Sequence, residues 1–274
     1  MKAVLQIARM ELLASIRNRW TFIYASVFAV LILALSYFGL VTTLAVGFQD
    51  LTRTSASILS LSLYLIPFIA LVMGSTSLTA ERGLSELLFA QPVTRNQILL
   101  GKLLGLFLSL LASVLIGFSF AGFIISVKAG SRGILAYAGI VILALLLAFV
   151  FLAISGLISV ACQRTAKGVG ISLLVGFFFL FIYDLLVIGL TVLLPERIGN
   201  KFALFALLGN PIGVTRVAGL IIIGGKDLLG SAGAQLLRLL GGEILAFTLL
   251  TIALLLYILI PICLAVRLLS RQDI

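Results

Sequence analysis

The sequence contains no histidine, only two cysteines and few charged residues: 10% of its 274 residues are Asp, Glu, Lys or Arg. Soluble domains carry roughly 25% charged residues, so an ordinary soluble fold is excluded. Cys162 and Cys263 lie far apart and no histidine accompanies them, so neither a disulfide framework nor a zinc-type pattern is available. We predict no metal site and no cofactor. The scarcity of acid, base and metal ligands also argues against an intramembrane enzyme.

Long apolar runs account for most of the chain, of which 62% is hydrophobic. A membrane-spanning helix needs about 20 apolar residues, because a helix rises 1.5 Å per residue across roughly 30 Å of hydrocarbon. Six runs satisfy this length, and one of them contains a charged residue, Asp184. We therefore predict an all-α integral membrane protein, a single domain over residues 1–274, with spans at 20–46, 54–80, 103–127, 133–163, 168–195 and 244–266.

The net charge of +10 is concentrated between the apolar runs. Such placement indicates orientation in a membrane and contact with lipid headgroups, and it argues against a nucleic-acid partner. With the N-terminus inside, the short outer loops hold only Arg53, Lys128 and Arg132. The cytosolic segments would hold Lys2, Arg9, Arg17, Arg19, Arg82, Arg95, Lys102, Arg164, Lys167, Arg267 and Arg271. The positive-inside rule thus predicts an inner-membrane protein with both termini in the cytosol.

Residues 202–225 are apolar enough to suggest a further span, but Asn210, Pro211 and Arg216 interrupt them. Proline breaks a helix and a charged residue is costly in lipid. A seventh crossing would also place Arg267 and Arg271 outside. We therefore predict a re-entrant or interfacial hairpin within the periplasmic segment 196–243.

The first 19 residues place Leu5, Ala8, Leu12 and Ile16 on one face of a helix. The pattern predicts an amphipathic helix on the inner leaflet. It is either an elbow helix that contacts a cytosolic partner or a plain anchor, and periodicity does not separate the two. The candidate elbow residues are Arg9, Glu11, Arg17 and Arg19.

The cytosolic segment 81–97 carries leucines at helical spacing before Pro92, and Thr94 with Gln97 forms a capping box that starts the next span. A short helix held between two spans can dock on a soluble protein and transmit its motion; the alternative is a structured loop. The candidate coupling residues are Glu81, Arg82, Leu84, Glu86, Leu87 and Leu88.

Together with residues 92–95 and Gly101-Lys102, these features resemble the permeases of type-2 ABC exporters over nearly the whole chain. Within that class, residues 7–12 with 17–20, 181–184, and 207–211 with Arg216 resemble the permease of the ABC transporter that matures nitrous-oxide reductase. The resemblance implies a complex of two permeases, a cytosolic ATPase dimer and a periplasmic copper-handling β-helix protein. The type-2 alternatives are drug, lipid or antibiotic efflux.

The chain lacks the glycine-rich loop that binds ATP phosphates, because Asn96 and Leu220 stand where the first glycine of that motif would be. ATP would therefore be bound by a separate subunit, and the permease itself is not expected to be an enzyme. A membrane channel or assembly scaffold is the competing class, and the cargo is not encoded in any motif. Asp184, beside Tyr183, either fastens neighbouring helices or lies on the transport path or dimer seam.

Overall fold

The computed structural model describes residues 2–17, 23, 26–27, 29–34, 48–80, 94–162, 164–224 and 241–271. Within these residues the secondary structure is helical, as the apolar periodicity predicts, and no strand occurs. The helices are α1 (Lys2–Arg17), α2 (Phe48–Ala80), α3 (Arg95–Ala161), α4 (Thr165–Phe177), a π-helical turn (Phe178–Ile182), α5 (Tyr183–Leu193), α6 (Glu196–Leu208), α7 (Pro211–Ile223) and α8 (Glu243–Ser270).

Five stretches of the described helices are long and apolar enough to cross a membrane, and they overlap five of the predicted spans. They are Thr54–Thr79, Asn96–Ser119, Ile134–Ala161, Thr165–Leu193 and Glu243–Ser270. The remaining predicted span, 20–46, lies largely outside the described residues, although residues 29–34 are helical. The all-helical class is therefore confirmed, while the count of six spans stays a prediction.

Helix α3 is a hairpin although its backbone is helical from Arg95 to Ala161. The rings of Phe107 and Phe149 lie 4.5 Å apart, whereas a straight helix would separate these residues by about 63 Å. Tyr137 also donates a hydrogen bond to the carbonyl of Phe118 at 2.6 Å. The chain therefore reverses direction between Gly122 and Ile134, and the two arms of α3 form two antiparallel spans.

The second arm of α3 forms the centre of the bundle. The span Ile134–Ala161 is largely buried, whereas the span Thr165–Leu193 is largely exposed. The second arm packs against the first arm and α2, with Ile140, Leu147 and Phe151 fully buried. The span formed by α4, the π-helical turn and α5 lies at the periphery of the described helices, and most of its apolar side chains are exposed.

The predicted break at Asn210-Pro211 separates α6 from α7. Asn210 caps α7, since its side-chain oxygen accepts a hydrogen bond from the N–H of Ile212 at 3.0 Å, and Pro211 occupies the first helical position. Helix α7 packs against α2, α3 and α8 and buries most of its residues. Such burial fits a helix inserted between spans rather than one lying at the membrane surface.

Helix α1 packs against the start of α3 through small and polar residues, namely Ala8, Glu11 and Ser15. Of the predicted apolar face, Ala8 is buried, whereas Leu5 and Ile16 remain 63% and 59% exposed. Large apolar side chains therefore point away from the protein. In a membrane this orientation is favourable, because lipid solvates them.

Candidate functional site

Three of the polar residues singled out in the sequence meet between the fifth predicted span and the hairpin. One oxygen of Asp184, Oδ2, lies 3.3 Å from Nη1 of Arg216. The other oxygen, Oδ1, accepts a hydrogen bond from Nδ2 of Asn210 at 3.0 Å. An ionised carboxylate is costly within a membrane unless it is paired. The hairpin thus supplies both a counter-charge and a hydrogen-bond donor to Asp184, and we call these three residues the outer network.

Asn210 connects the outer network to a local irregularity of the fifth span. Its Nδ2 also donates to the carbonyl of Phe179 at 3.0 Å, within the π-helical turn Phe178–Ile182. A π-helical turn shifts the regular hydrogen-bond pattern of a helix and often occurs at functional sites. Because Asn210 also caps α7, a single side chain joins the hairpin helix, the irregular turn and the carboxylate.

Tyrosine hydroxyls hold the C-terminal end of α6, where helix carbonyls lack partners within the helix. Tyr183 donates to the carbonyl of Ala206 at 2.7 Å, and Tyr257 of α8 donates to that of Leu208 at 3.1 Å. Gly209 lies directly against Tyr183, and a Cβ atom at position 209 would clash with the tyrosine hydroxyl. The turn of the hairpin is therefore fastened both to the fifth span and to the C-terminal span.

Asp184 lies beyond the middle of its span, on the side of Leu193. It follows Thr165 by about 28 Å of helix and precedes Leu193 by about 14 Å. With the predicted orientation, it lies towards the periplasmic side. The side chains of Arg216 and Asp184 are 38% and 36% exposed within a single chain, although Asn210 and most of α7 are buried. The outer network is therefore open on one side.

The other predicted site residues have separate positions. Glu11 is buried, whereas Arg9 and Arg17 are exposed on α1. Arg19 and the candidate coupling residues Glu81, Arg82, Leu84, Glu86, Leu87 and Leu88 lie outside the described residues. The start of α3 follows the predicted cap, since the N–H of Thr94 donates to Oε1 of Gln97 at 3.2 Å.

The sequence reasoning did not predict that Asn210 and Arg216 both contact Asp184. It also missed the π-helical turn and the tyrosine contacts to the hairpin. The available signal was the coincidence of one intramembrane acid, one basic residue and one helix-breaking Asn-Pro pair in otherwise apolar runs. The sequence predictions treated the hairpin residues and Asp184 separately.

Comparison with known proteins identifies the class. Residues 5–274 match the family described as ABC-2 family transporter protein, so the chain belongs to this family of ABC transporter permeases. It is similar to a protein of Stutzerimonas stutzeri named "Probable ABC transporter permease protein NosY", with 35% identity over 85% of each chain. A Pseudomonas aeruginosa protein of the same name is 34% identical, covering 85% of this chain and 86% of its own. The predicted resemblance to type-2 permeases is confirmed.

Proposed function

We propose that this permease couples ATP hydrolysis by a separate cytosolic ATPase dimer to export, or to mechanical action on a periplasmic partner, during copper-site maturation of nitrous-oxide reductase. The working unit would contain two copies of the chain in the inner membrane, with both termini of each copy in the cytosol. Three stretches of sequence that resemble the permease of that maturation system support the proposal, as does the similarity to the two proteins named NosY.

The outer network is the structural observation that supports an action of the permease on a periplasmic partner. Asp184, Asn210 and Arg216 link the fifth predicted span to α7, and Tyr257 links the hairpin to the C-terminal span. A displacement of one span would therefore displace the hairpin. We place the periplasmic copper-handling β-helix protein on the outer side of this hairpin, where such displacement would reach it.

Segment 81–93 would receive the motion from the ATPase. Its leucines at helical spacing and its position between two rigid spans support this role, as does the capped start of α3 at Thr94. Leu84, Leu87 and Leu88 would fill a groove on the ATPase, and Glu81, Arg82 and Glu86 would set its register.

The proposal is tested by complementation in a denitrifying strain that lacks its own copy of the permease. We expect the chain to restore copper loading of nitrous-oxide reductase and to copurify with the ATPase. Leu84→Asp should lower ATPase copurification roughly tenfold or more, because it places a charge in an apolar contact. Lys2→Glu, which changes an exposed charge on α1, is the control and should leave both measurements unchanged.

Other outcomes favour the alternatives. If the ATPase copurifies but the reductase acquires copper without the permease, the chain belongs to another type-2 exporter of drugs, lipids or antibiotics. If no ATPase copurifies and activity persists in the Leu84→Asp variant, the chain is a membrane scaffold and segment 81–93 is only a connector.

A further inference from the structure

A second polar contact lies at the opposite end of the bundle, where three segments meet. Oγ of Ser77, near the end of α2, donates a hydrogen bond to Oε1 of Glu11 on α1. The negative charge of Glu11 also acts on the ammonium group of Lys102 in the first arm of α3. Glu11 and Lys102 are each only 7% exposed. We call Glu11, Ser77 and Lys102 the inner joint.

Two glycines on α3 bring the helix backbones close enough to form the inner joint. A Cβ atom at Gly105 would lie 2.5 Å from the carbonyl oxygen of Ala8 and 2.6 Å from Cβ of Glu11. A Cβ atom at Gly101 would lie 2.8 Å from Cβ of Ile7. Glycines spaced four residues apart allow such approach between helices in membranes. Lys102 directly follows Gly101. The close contact between α1 and α3 therefore also buries Lys102.

The inner joint lies close to both ends of segment 81–93, on the helix that precedes it (α2) and on the helix that follows it (α3). We call these two helix ends the stems of the segment. Ser77 precedes residue 81 by about one helical turn, and Lys102 lies about two turns beyond Thr94. Helix α1, in turn, precedes the first predicted span. The contact therefore connects the beginning of the chain to the helix that enters the segment and to the helix that leaves it.

Glu11 and Lys102 are both buried, so the charge of each depends on the opposite charge of the other for compensation. A buried charge that loses its partner stays uncompensated, whereas exchange of both charges retains their attraction. A plain lipid anchor would need no such pair, because its apolar side chains already face lipid. The buried residues of α1 are small or polar, whereas large apolar side chains such as Leu5 and Ile16 are exposed together with Arg9 and Arg17. A carboxylate on the buried face indicates that α1 is fixed to specific partners on the protein.

We propose that Glu11 and Lys102 are positioning residues that lock α1 to both stems of segment 81–93, so that ATP-driven displacement of this segment moves α1 in the same step. The proposal rests on the proposed function for the origin of the motion. The locking itself depends only on the contacts of the inner joint.

The first measurement tests the lock without nucleotide. Hydrogen–deuterium exchange of residues 2–17 is followed in the assembled transporter in lipid nanodiscs. Lys102→Met and Glu11→Gln should accelerate exchange roughly tenfold or more, because each leaves one buried charge or donor without its partner. The exchanged pair Glu11→Lys with Lys102→Glu should recover most of the protection. Lys167→Met and Lys2→Gln alter exposed charges and should have no effect.

The second measurement tests transmission. Spin labels are placed at the exposed positions Met10 and Thr94, in a background without Cys162 and Cys263, and distances between the two copies are measured before and after trapping with ATP and vanadate. In the otherwise unchanged protein both distances should shift. In the Lys102→Met variant only the Thr94 distance should shift, while ATPase association and hydrolysis persist. A purely structural role would instead lower association and hydrolysis together.

The outcomes separate the two proposals. Unchanged exchange of residues 2–17 in both single variants would overturn the lock, as would failure of the exchanged pair to recover protection. An equal shift at Met10 with and without Lys102 would overturn transmission. If neither label moves in the unchanged protein, the proposed function fails together with transmission, whereas the exchange data still decide the lock.

Discussion

The inner joint and the outer network each place a charge pair among apolar helices, but one chain encloses them to different degrees. Glu11 and Lys102 are each 7% exposed, whereas Asp184 and Arg216 are 36% and 38% exposed. Hydrocarbon is a poor environment for a partly exposed ion pair. A single chain thus encloses the charges of the inner joint, whereas it leaves one side of the outer network uncovered.

Gly105, beside the inner joint, and Gly209, beside the outer network, differ in the kind of atom that each faces. Gly105 faces the backbone of α1, which cannot rotate away, whereas Gly209 faces the hydroxyl of Tyr183, which can. The inner joint is therefore built on contacts between backbones. The outer network is surrounded by contacts of side chains, and such contacts can be exchanged as the protein moves.

The largest expected effect is an all-or-none difference in accessibility between the two ends of the bundle. A single cysteine at Glu196 should react with an impermeant thiol reagent in intact cells, whereas cysteines at Thr94 or Arg164 should react only after the membrane is opened. The physical reason is the charge distribution that directs basic segments to the cytosol. Reaction of the Thr94 cysteine from outside would reverse the assignment of inner and outer ends.

The second-largest expected effect is the loss of stability on alanine substitution at Gly105, compared with the same substitution at Gly209. Gly105→Ala should displace α1 and destabilise the protein by about 1–3 kcal/mol, because the added methyl group meets backbone. Gly209→Ala should cost less, about 0.5–1.5 kcal/mol, because Tyr183 can turn aside and lose only its hydrogen bond. Thermal unfolding of the purified permease in detergent measures both. Equal losses would show that the Tyr183 contact is as rigid as the backbone contact.

The smallest expected effect on stability concerns Asp184. Asp184→Asn should be tolerated better than Asp184→Leu, because the amide keeps hydrogen bonding to Asn210 and Arg216. We expect Asp184→Leu to cost about 0.5–1 kcal/mol, because the partial exposure of the pair reduces the loss. Thermal unfolding should be compared with reductase maturation in the same strains.

Three results of this comparison are informative. Normal assembly with failed maturation would place Asp184 on the working path, and weakened assembly in both variants would identify a fastener. Full assembly and full activity of the Asp184→Leu variant would contradict a role of either kind for the outer network.

The spans could be predicted because the length of an apolar run is a local property of the sequence. The meeting of Asp184 with Arg216 could not be predicted, because it depends on how deeply α7 inserts among the other helices. The π-helical turn gives no signal, since Phe178–Ile182 reads as any apolar helix. The periodicity of α1 predicted an apolar face, but of that face Ala8 is buried while Leu5 and Ile16 are exposed. Gly101 and Gly105 allow α1 to approach α3 through Ala8 and Glu11, which the periodicity does not indicate.

The burial of α7 has a consequence for the biosynthesis of the protein. With 13 residues it is too short to cross the membrane, and one of the surfaces that encloses it is α8, which is synthesised afterwards. Helix α7 therefore has no complete binding site on the nascent chain until Glu243–Ser270 has left the ribosome and entered the membrane. The earlier spans can insert in order, but α7 is fully enclosed only once α8 packs against it.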